Sequence, residues 1–312
     1  MEKTEFFYPS SDGSNKLHAV CWKPDGDCIA VLEIIHGMVE HIGRYERFAE
    51  YMTAHGIAVV GPDLSGHGGS IRSEDQMGVL GENGNKVVLE DLHVLQKKMQ
   101  EEFPSVPFFF LGHSMGSFFV REYGALYGDE LAGVIVMGTG SQPGIVLNVG
   151  KAICSVLGKI KGQNYASPLI EKLSIGGYNK AFSPARTAYD WLNSDQAEVD
   201  AYVNSPICGF HFPVNGYHEM FESIRGAQNR SLISKTPSSL PVLFVSGKMD
   251  AVGGFGKGVE KAKKLYSDLG IRNLQVKYYP SFRHEILNEV GRETVYGDLL
   301  EWITSAIKGV RA

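Results

Sequence analysis

The chain has 312 residues, of which 43% are hydrophobic and 21% are charged, and its formal net charge is −5. This composition is typical of a folded globular protein and excludes a long disordered tail. Because phosphate binding needs clustered Lys and Arg, which the chain lacks, nucleic acid is not expected as a partner. The N-terminal segment has no basic start followed by an apolar run, and polar residues interrupt every window of about 18 residues. We therefore expect a cytoplasmic protein.

Short apolar runs alternate with helical patterns along most of the chain. Two strand-like runs joined by a cluster of Ser, Asp, Gly and Asn predict an N-terminal hairpin, and six later runs predict core strands. The eight predicted strands are residues 5–8, 17–22, 30–35, 57–61, 108–111, 133–137, 242–246 and 274–279. Helical spacing between them, as in Val88, Leu92, Leu95 and Met99, predicts an α/β fold, a mostly parallel sheet with helices on both faces.

The alternation of strands and helices stops between residues 141 and 236. Roughly a hundred residues pass there without a core-type strand, which is too long for a loop, and they contain several helical patterns. We interpret residues 141–236 as a helical cap inserted between two parts of the core, 1–140 and 237–312.

One helical pattern in this cap, between residues 149 and 160, has an apolar stripe opposite Lys151, Ser155 and Lys159. We favour an interpretation in which the stripe packs on the core beneath it, since this is the commoner arrangement. The alternative is weak peripheral contact with a membrane or micelle that delivers lipid substrate. The cap has nine Lys and Arg against seven Asp and Glu, so a mildly basic cap lies over an acidic core. That difference suits a weak attraction to anionic lipid.

Residues 112–116 read Gly-His-Ser-Met-Gly and fit the pattern Gly-x-Ser-x-Gly. The apolar run before them predicts a buried strand and the apolar spacing after them predicts a helix, so Ser114 is expected at a strand-to-helix turn. In a nucleophile elbow the residues two before and two after the serine nearly touch, and Gly112 and Gly116 meet this demand. An ordinary serine in a turn is the alternative interpretation.

A nucleophilic serine needs a histidine to accept its proton and a carboxylate to orient that histidine. Asp250 follows the predicted strand 242–246, and His284 follows the predicted strand 274–279. The chain order Ser114, Asp250, His284 is the order in which α/β-hydrolases carry their triad. Taken alone, Asp250 would be a solvated loop acid and His284 a surface imidazole. Together with the elbow, they predict a catalytic triad.

The oxyanion formed during ester cleavage needs two N–H donors. One is usually the residue after the nucleophile, here Met115, and the other lies in the loop after the third strand. The strand 30–35 continues into His36, Gly37 and Met38, so the Met38 N–H is the second candidate donor. We expect His36 to hold this loop in place and not to act as a second catalytic base.

Three segments resemble monoacylglycerol lipases and the related bacterial lysophospholipase-like hydrolases. Residues 36–45, HGMVEHIGRY, resemble the HGxxEHxxRY segment of that family. Residues 63–70, DLSGHGGS, resemble its DxxGHGxS loop, and residues 112–116 resemble its GHSMG elbow. With the Asp250 and His284 segments, the resemblance runs from about residue 30 to the C-terminus and implies the α/β-hydrolase fold.

The resemblance also implies roles for individual residues. It implies Ser114 as nucleophile, Asp250 and His284 as its partners, and Met38 and Met115 as oxyanion donors.

Other residues of these motifs have roles outside the triad and the oxyanion hole. The resemblance implies that Glu40 and Arg44 border the alcohol side of the pocket, while their spacing leaves open a purely structural i, i+4 ion pair. Asp63 and His67 are expected to shape their loop.

Two departures from the family pattern bear on substrate choice. Met38 and Val39 stand where these lipases usually have small residues, and Leu287 stands where they carry a second histidine.

The expected activity is hydrolysis of a carboxylic ester, with a monoacylglycerol or lysophospholipid as substrate. The bulk of Met38 keeps open a short-chain or aryl carboxylesterase, and a hydrolase fold that binds ligand without catalysis is the rival from another class. An apolar acyl pocket lined by Trp191, Phe210 and Phe212 is expected in the cap, although these aromatic residues could equally form the cap's own core.

No cofactor or metal is expected. The predicted partner is a small-molecule ester or lipid, and the oligomeric state is left open.

Overall fold

The computed structural model describes residues 1–311, and eight of its strands pair into one sheet. The strands are β1 (Glu2–Pro9), β2 (Lys16–Lys23), β3 (Ala30–Ile35), β4 (Ile57–Pro62), β5 (Phe108–His113), β6 (Gly133–Met137), β7 (Val242–Gly247) and β8 (Leu274–Tyr279). Their order across the sheet is β1-β2-β4-β3-β5-β6-β7-β8. The β1–β2 and β2–β4 pairs are antiparallel and the remaining pairs are parallel. The predicted mostly parallel α/β sheet is confirmed.

Each of the eight predicted strands is present, with small differences at the ends. The difference that matters for the site is at the end of β5. This strand continues two residues past its predicted end, because its pairing with β6 extends to His113 opposite Met137. The next residue, Ser114, has a φ of 53°, and this positive value ends the extended backbone. The strand therefore delivers Ser114 directly into the turn.

Ten α-helices accompany the sheet within residues 1–311. They are α1 (Glu46–Thr53), α2 (Gly84–Glu102), α3 (Met115–Tyr127), α4 (Gly144–Lys161), α5 (Pro168–Ser174), α6 (Gln196–Asn204), α7 (Val214–Ala227), α8 (Arg230–Ile233), α9 (Lys257–Asp268) and α10 (Glu293–Arg311). Apolar residues of α1 and α10 form one core cluster with one face of the sheet, and residues of α2, α3 and α9 form another with the opposite face. Since both faces are covered, the central strands are buried along their whole length.

The helices α4 to α8 all lie between β6 and β7, and we call residues 141–236 the cap segment. The segment has no strand that joins the sheet, and its only bridge within the described chain links Ala166 to Pro213. Its helix α7 carries buried residues that join the core clusters, including Tyr217 and Ile224. The domain boundaries at 141 and 236 stay a prediction.

The favoured interpretation of the stripe on α4 is wrong for part of its length. Ile153 and Leu157 of the stripe are half-buried and pack against the core as expected, but Val149 and Val156 are each 54% exposed and Ile160 is 71% exposed. Lys151, expected on the solvent face, instead forms an ion pair with Glu222 of α7. The helix is thus rotated so that the side with Lys151 packs on α7 and part of the apolar stripe faces outward.

Candidate active site

The catalytic candidates come together because their loops leave the same edge of the sheet. Ser114 follows β5, Asp250 follows β7, and His284 follows β8. Met38 follows β3, which is the neighbour of β5 in the sheet. Parallel strands place their carboxyl ends on one edge, and ligands of open α/β sheets bind there. The residues predicted from separate parts of the sequence therefore meet at one place.

Ser114 sits in a tight elbow between β5 and α3. Its φ of 53° and ψ of −116° lie outside the regions that L-residues ordinarily occupy. A Cβ at Gly112 would overlap the carbonyl of Gly116, and a Cβ at Gly116 would overlap the carbonyl oxygen of Ile35. Both glycines are therefore required for the turn to close. The partly exposed Ser114 is presented at the top of α3, which is the geometry of a nucleophile elbow.

His284 and Asp250 are both buried, with exposures of 1% and 0%. Their Nδ1 and Oδ1 atoms are 3.0 Å apart, although the ring N–H is not aimed closely enough at the carboxylate to form a linear hydrogen bond. Val252 also donates its backbone N–H to Asp250 at 2.8 Å. Burial alone would raise the pKa of Asp250, but the interaction with His284 and the backbone N–H donors outweigh it and hold the pKa below its usual value. The carboxylate is thus kept ionised beside the imidazole.

The second ring nitrogen of His284, Nε2, has no hydrogen-bond partner among residues 1–311. It is therefore available to a serine hydroxyl or a leaving group. Ser114 and His284 line the same small pocket, but no hydrogen bond joins them. Such bonds are often long without substrate and shorten when substrate binds.

The two candidate oxyanion donors flank Ser114. Within the described chain, neither the Met38 nor the Met115 backbone N–H is used in a hydrogen bond. Gly37 packs against the nucleophile, since a Cβ there would lie 3.1 Å from Ser114 Cβ. The Gly37 N–H itself donates to Glu40 Oε1 at 2.5 Å. This bond holds the loop that carries Met38 beside the nucleophile.

Glu40 and Arg44 form the i, i+4 ion pair that their spacing allowed, with 2.8 Å between Arg44 Nη1 and Glu40 Oε2. Arg44 also makes a two-pronged contact with Glu285, at 2.6 and 2.8 Å. Burial alone would lower the pKa of Arg44, but Glu285 and Glu40 hold it well above its usual value. Arg44 therefore ties the oxyanion loop to the residue after His284. The implied role of this pair at the alcohol side stays a prediction.

The other motif residues hold loops together. His36 is fully buried, its Nδ1 lies 2.7 Å from the Gly37 carbonyl, and its Nε2 accepts the Leu64 N–H at 3.0 Å. Asp63 accepts the N–H groups of Ile42 and Gly69, at 2.8 and 2.7 Å. Burial lowers the pKa of His67 to about 3, so it is neutral. These contacts match the loop-shaping roles expected for the three side chains.

Two cavities meet at Ser114. The larger has a volume of about 420 Å³ and is lined mostly by apolar residues of α4, α5 and α7. The smaller has a volume of about 30 Å³ and includes the carboxylates of Glu40, Glu171 and Glu285 in its wall. Met38 and Trp191 border both. The nucleophile thus stands between an apolar space and a small polar one.

The cap aromatics divide between these cavities. Trp191 lines the large cavity, as expected, and its ring centre lies 5.3 Å from that of His284. Phe210 and Phe212 line the small cavity instead. The large cavity is lined by aliphatic side chains such as Ile145 and Ile153, which come from a helix whose rotation the sequence did not reveal.

Sequence reasoning missed Glu285, His113 and Tyr45 as members of this site. Glu285 is the direct neighbour of His284, but its partner Arg44 lies 241 positions away along the chain. His113 was considered only as a variable position of the elbow. Its ring nitrogen Nδ1 lies 3.1 Å from both Glu40 and Tyr45, and the only available signal was its position beside the nucleophile.

A family model described as Hydrolase_4, serine aminopeptidase, S33, matches residues 26–291. The matched range includes the elbow, the oxyanion loop and the segments of Asp250 and His284, together with the whole cap segment.

Named relatives support the resemblance stated from the motifs. The chain is 27% identical over 290 residues to a monoacylglycerol lipase of Mycolicibacterium smegmatis, covering 91% of each chain. It is 26% identical over 280 residues to phospholipase YtpA of Bacillus subtilis, covering 88% of this chain and 95% of that one. The resemblance to monoacylglycerol lipases and lysophospholipase-like hydrolases is confirmed.

A solved structure with the same fold is a thermostable carboxyl esterase from Bacillus coagulans in complex with glycerol. The two superpose with a TM-score of 0.90 at 28% sequence identity, covering 98% of this chain and 99% of that one. The agreement extends through the cap segment, and the α/β-hydrolase fold is confirmed.

Proposed function

The chain belongs to the Hydrolase_4 family, serine aminopeptidase S33, and from this premise we propose that it hydrolyses carboxylic esters through an acyl-enzyme on Ser114. The observation that carries the proposal is the position of Ser114. It lies in a strained elbow between an apolar cavity and a small polar one, on the same sheet edge as His284 and Asp250. The named relatives include a lipase, a phospholipase and an esterase, all of which cleave esters.

In the proposed mechanism Ser114 attacks the ester carbonyl while His284 Nε2 accepts its proton. Asp250 stabilises the imidazolium that forms, and the N–H groups of Met38 and Met115 hold the negative oxygen. The alcohol leaves with the proton from His284. Water, activated by the same histidine, then attacks the acyl-enzyme and releases the acid. The free Nε2 and the two unused N–H groups supply the donors and acceptor that these steps need.

The cavities suggest which part of the substrate lies where. The large cavity falls within the range of small-molecule sites, about 300–1,000 Å³, and its apolar wall suits an acyl chain. The small cavity would then receive the alcohol. Hydrophobic burial of each methylene contributes about 0.8 kcal/mol, so a long acyl chain would bind much more strongly than acetyl. We infer a preference for long-chain esters.

The charges that line the small cavity suit the neutral glycerol of a monoacylglycerol better than the phosphate of a lysophospholipid. No Lys or Arg is among the described residues that line it, while Glu40, Glu171 and Glu285 are. The guanidinium of Arg44 is already hydrogen-bonded to the carboxylates of Glu40 and Glu285. A phosphate head group would meet carboxylates without a free cation, whereas a neutral glycerol can hydrogen-bond to them. In this arrangement Glu40 and Arg44 would border the alcohol, as the family resemblance implies.

The test is hydrolysis of p-nitrophenyl esters from two to sixteen carbons, followed by monoacylglycerol and lysophosphatidylcholine with matched acyl chains. We expect the wild type to prefer long chains and the monoacylglycerol, and Ser114→Ala to lose at least about 10⁴-fold in kcat. A maximum at acetyl or butyryl would favour the short-chain or aryl carboxylesterase, which the bulk of Met38 leaves open. Equal inactivity of wild type and variant would favour a silent ligand-binding protein.

We also infer a weak peripheral contact between the cap segment and lipid surfaces. Ile160, Leu169 and Leu173 are 71%, 55% and 67% exposed, and Lys159 and Lys172 lie exposed beside them. An apolar face with a basic rim is the pattern of helices that lie on anionic membranes. Among residues 1–311, no helix combines the length and apolar character needed to span a bilayer. The cytoplasmic location itself stays a prediction.

Sedimentation with anionic phosphatidylglycerol vesicles tests this contact. The double substitution Val156→Glu and Ile160→Glu should weaken vesicle binding about tenfold, since it places charge on the apolar face. Both residues lie outside the wall of the large cavity, so hydrolysis of a dissolved short-chain ester should be retained. Phe7→Glu, which changes an exposed aromatic on β1, is the matched control. Equal sedimentation of all three proteins would contradict the inference.

A further inference from the structure

Four charged or titratable side chains form a buried cluster behind the catalytic residues. Glu40 and Glu285 are 3% and 4% exposed, His113 is 4% exposed, and the Arg44 side chain is 12% exposed. Arg44 contacts both carboxylates, and His113 contacts Glu40. We call these four residues the buried quartet. The triad mechanism gives no chemical step to any of them.

The neighbours of the His113 ring determine how many protons it carries. Its Nδ1 lies 3.1 Å from Glu40 Oε1 and 3.1 Å from the Tyr45 hydroxyl. Its Nε2 lies 3.3 Å from the backbone carbonyl oxygen of His284. A carboxylate and a backbone carbonyl can only accept hydrogen bonds. Each ring nitrogen therefore faces an acceptor.

A neutral imidazole leaves one of these close contacts without a proton between its two atoms. With its proton on Nδ1, the lone pair of Nε2 would face the His284 carbonyl. With its proton on Nε2, the lone pair of Nδ1 would face Glu40, and the single hydroxyl proton of Tyr45 could not serve both Nδ1 and Glu40, which is itself 3.0 Å from that hydroxyl. Only the doubly protonated ring donates at both ends. Burial of unsatisfied lone pairs would be costly here.

Charge balance leads to the same protonation state. Glu40 and Glu285 contribute two negative charges, and Arg44 contributes one positive charge. A protonated His113 makes the buried quartet neutral, whereas a neutral His113 leaves one uncompensated negative charge away from water. Burial alone would lower the pKa of His113, but its hydrogen bond to Glu40 and the charge of Glu40 raise it above the usual value.

The His113 ring lies against the catalytic histidine. The ring centres of His113 and His284 are 4.7 Å apart. Gly138, at a φ of 61°, makes room for both, since a Cβ there would lie 3.0 Å from His284 and 3.3 Å from His113. A charge at His113 would therefore act on His284 through a short, dry gap, where electrostatic interactions are strong.

We propose that His113 is a permanent imidazolium, a positioning residue that holds the His284 backbone and keeps a second proton off the His284 ring in the resting enzyme. Like charges at this separation disfavour each other, so His284 stays neutral and ready to accept the Ser114 proton. The proposal rests on the proposed hydrolase function only through its kinetic test. Asp250 still stabilises the imidazolium that forms transiently during the reaction.

Both histidine rings have further charged or titratable groups around them. His113 faces Glu40, Tyr45 and His284, with Glu285 and Arg44 behind them. His284 faces Asp250 and His113, and Tyr178 lies beyond Asp250. Burial raises the pKa of Tyr178 to about 12, so this phenol is neutral at working pH. His113 is thus the cation placed to oppose a proton on His284.

The first test is nitrogen-15 NMR of the histidine rings in the wild-type protein between pH 5 and 8. The His113 signals are assigned from their contacts to Tyr45 and His284. We expect both ring nitrogens of His113 to carry protons across this range, in slow exchange with water. A neutral His113 ring at pH 7 would overturn the proposal. This measurement needs no enzymatic activity, so it stands even if ester hydrolysis is not found.

The second test is the pH profile of kcat/KM for His113→Gln. Without the positive charge of His113, a proton is easier to add to His284. The acid limb of the kcat/KM profile should therefore move to higher pH by on the order of one unit. A purely structural role would lower kcat and leave the limb in place. His67→Gln, a change at another fully buried histidine, should not move it. The proposal would be overturned if His113→Gln folds and its kcat/KM profile has the same acid limb as the wild type. If this variant does not fold, the NMR measurement decides.

Discussion

The catalytic edge of the sheet and the cap segment are built in opposite ways. At the catalytic edge, polar side chains are buried and nearly all have partners, as with Asp250, Glu40 and Arg44. In the cap segment, apolar side chains such as Ile145 and Ile160 are more than two-thirds exposed or line an open cavity. The difference teaches that, in the proposed function, the chemistry depends on short loops with buried, paired side chains, while substrate choice depends on helices that expose apolar side chains.

The largest expected effect is at the catalytic edge. Asp250→Asn removes the charge that stabilises the His284 imidazolium and should lower kcat about 10⁴-fold, with little change in thermal stability. Steady-state kinetics on a long-chain p-nitrophenyl ester and a melting curve measure the two quantities. Asp129→Asn, a change at an exposed acid far from the site, is the control. A loss below tenfold would mean that Asp250 does not act on His284.

The next largest effect is expected in the cap segment, and it should change the chain-length preference without changing the chemistry at the catalytic edge. Ile153→Trp fills part of the large cavity, so activity on esters of twelve to sixteen carbons should fall about 30-fold, while acetyl ester activity is kept. Val156→Trp, one turn along α4 and outside the cavity wall, should leave both activities unchanged. The ratio of kcat/KM for long and short esters is the measurement. Equal losses on both chain lengths would contradict a separate acyl site.

The last expected effect is on stability and not on activity, and it lies where the two regions pack together. Glu122 of α3 is 3% exposed, faces Gly226 of α7, and has one carboxylate oxygen without a partner in residues 1–311. Burial raises its pKa to about 8 from an ordinary value of 4.5. The folded state therefore holds a proton that the unfolded state releases, and the free energy of unfolding falls as pH rises from about 4.5 to 8.

Glu122→Gln should remove this pH dependence. The variant should match the wild type near pH 4.5 and be more stable by about 5 kcal/mol at pH 9, where the wild-type carboxylate is forced to ionise in a buried place. Urea unfolding at the two pH values gives the comparison. An equal difference in stability at both values would show that Glu122 is not protonated in the folded protein.

The sequence predicted the catalytic edge well because its signals are local. The central strands are continuous apolar runs and the hairpin strands flank a cluster of turn residues, so all eight were found, and the glycines that the elbow requires stand two residues on either side of Ser114. Asp250 and His284 could be placed because each lies in the loop that follows a predicted strand. These features depend on a few neighbouring residues, and a single sequence contains them.

The cap and the buried quartet could not be predicted in the same way. The outward face of α4 depends on Glu222, a residue of another helix that pairs with Lys151, and an amphipathic pattern alone does not say which side meets the protein. Arg44 and Glu285 meet only because β3 and β8 end at the same edge of the sheet. Contacts between distant segments leave no periodic signal in the sequence.

The most direct test of the account is reaction of the protein with a long-chain alkyl fluorophosphonate, followed by intact mass measurement and peptide mapping. The account predicts one adduct per wild-type chain, located on Ser114, much slower labelling of His284→Asn, and no adduct on Ser114→Ala. An unlabelled wild type, or an adduct on another residue, would contradict the assignment of Ser114 as the nucleophile at the meeting point of the two cavities.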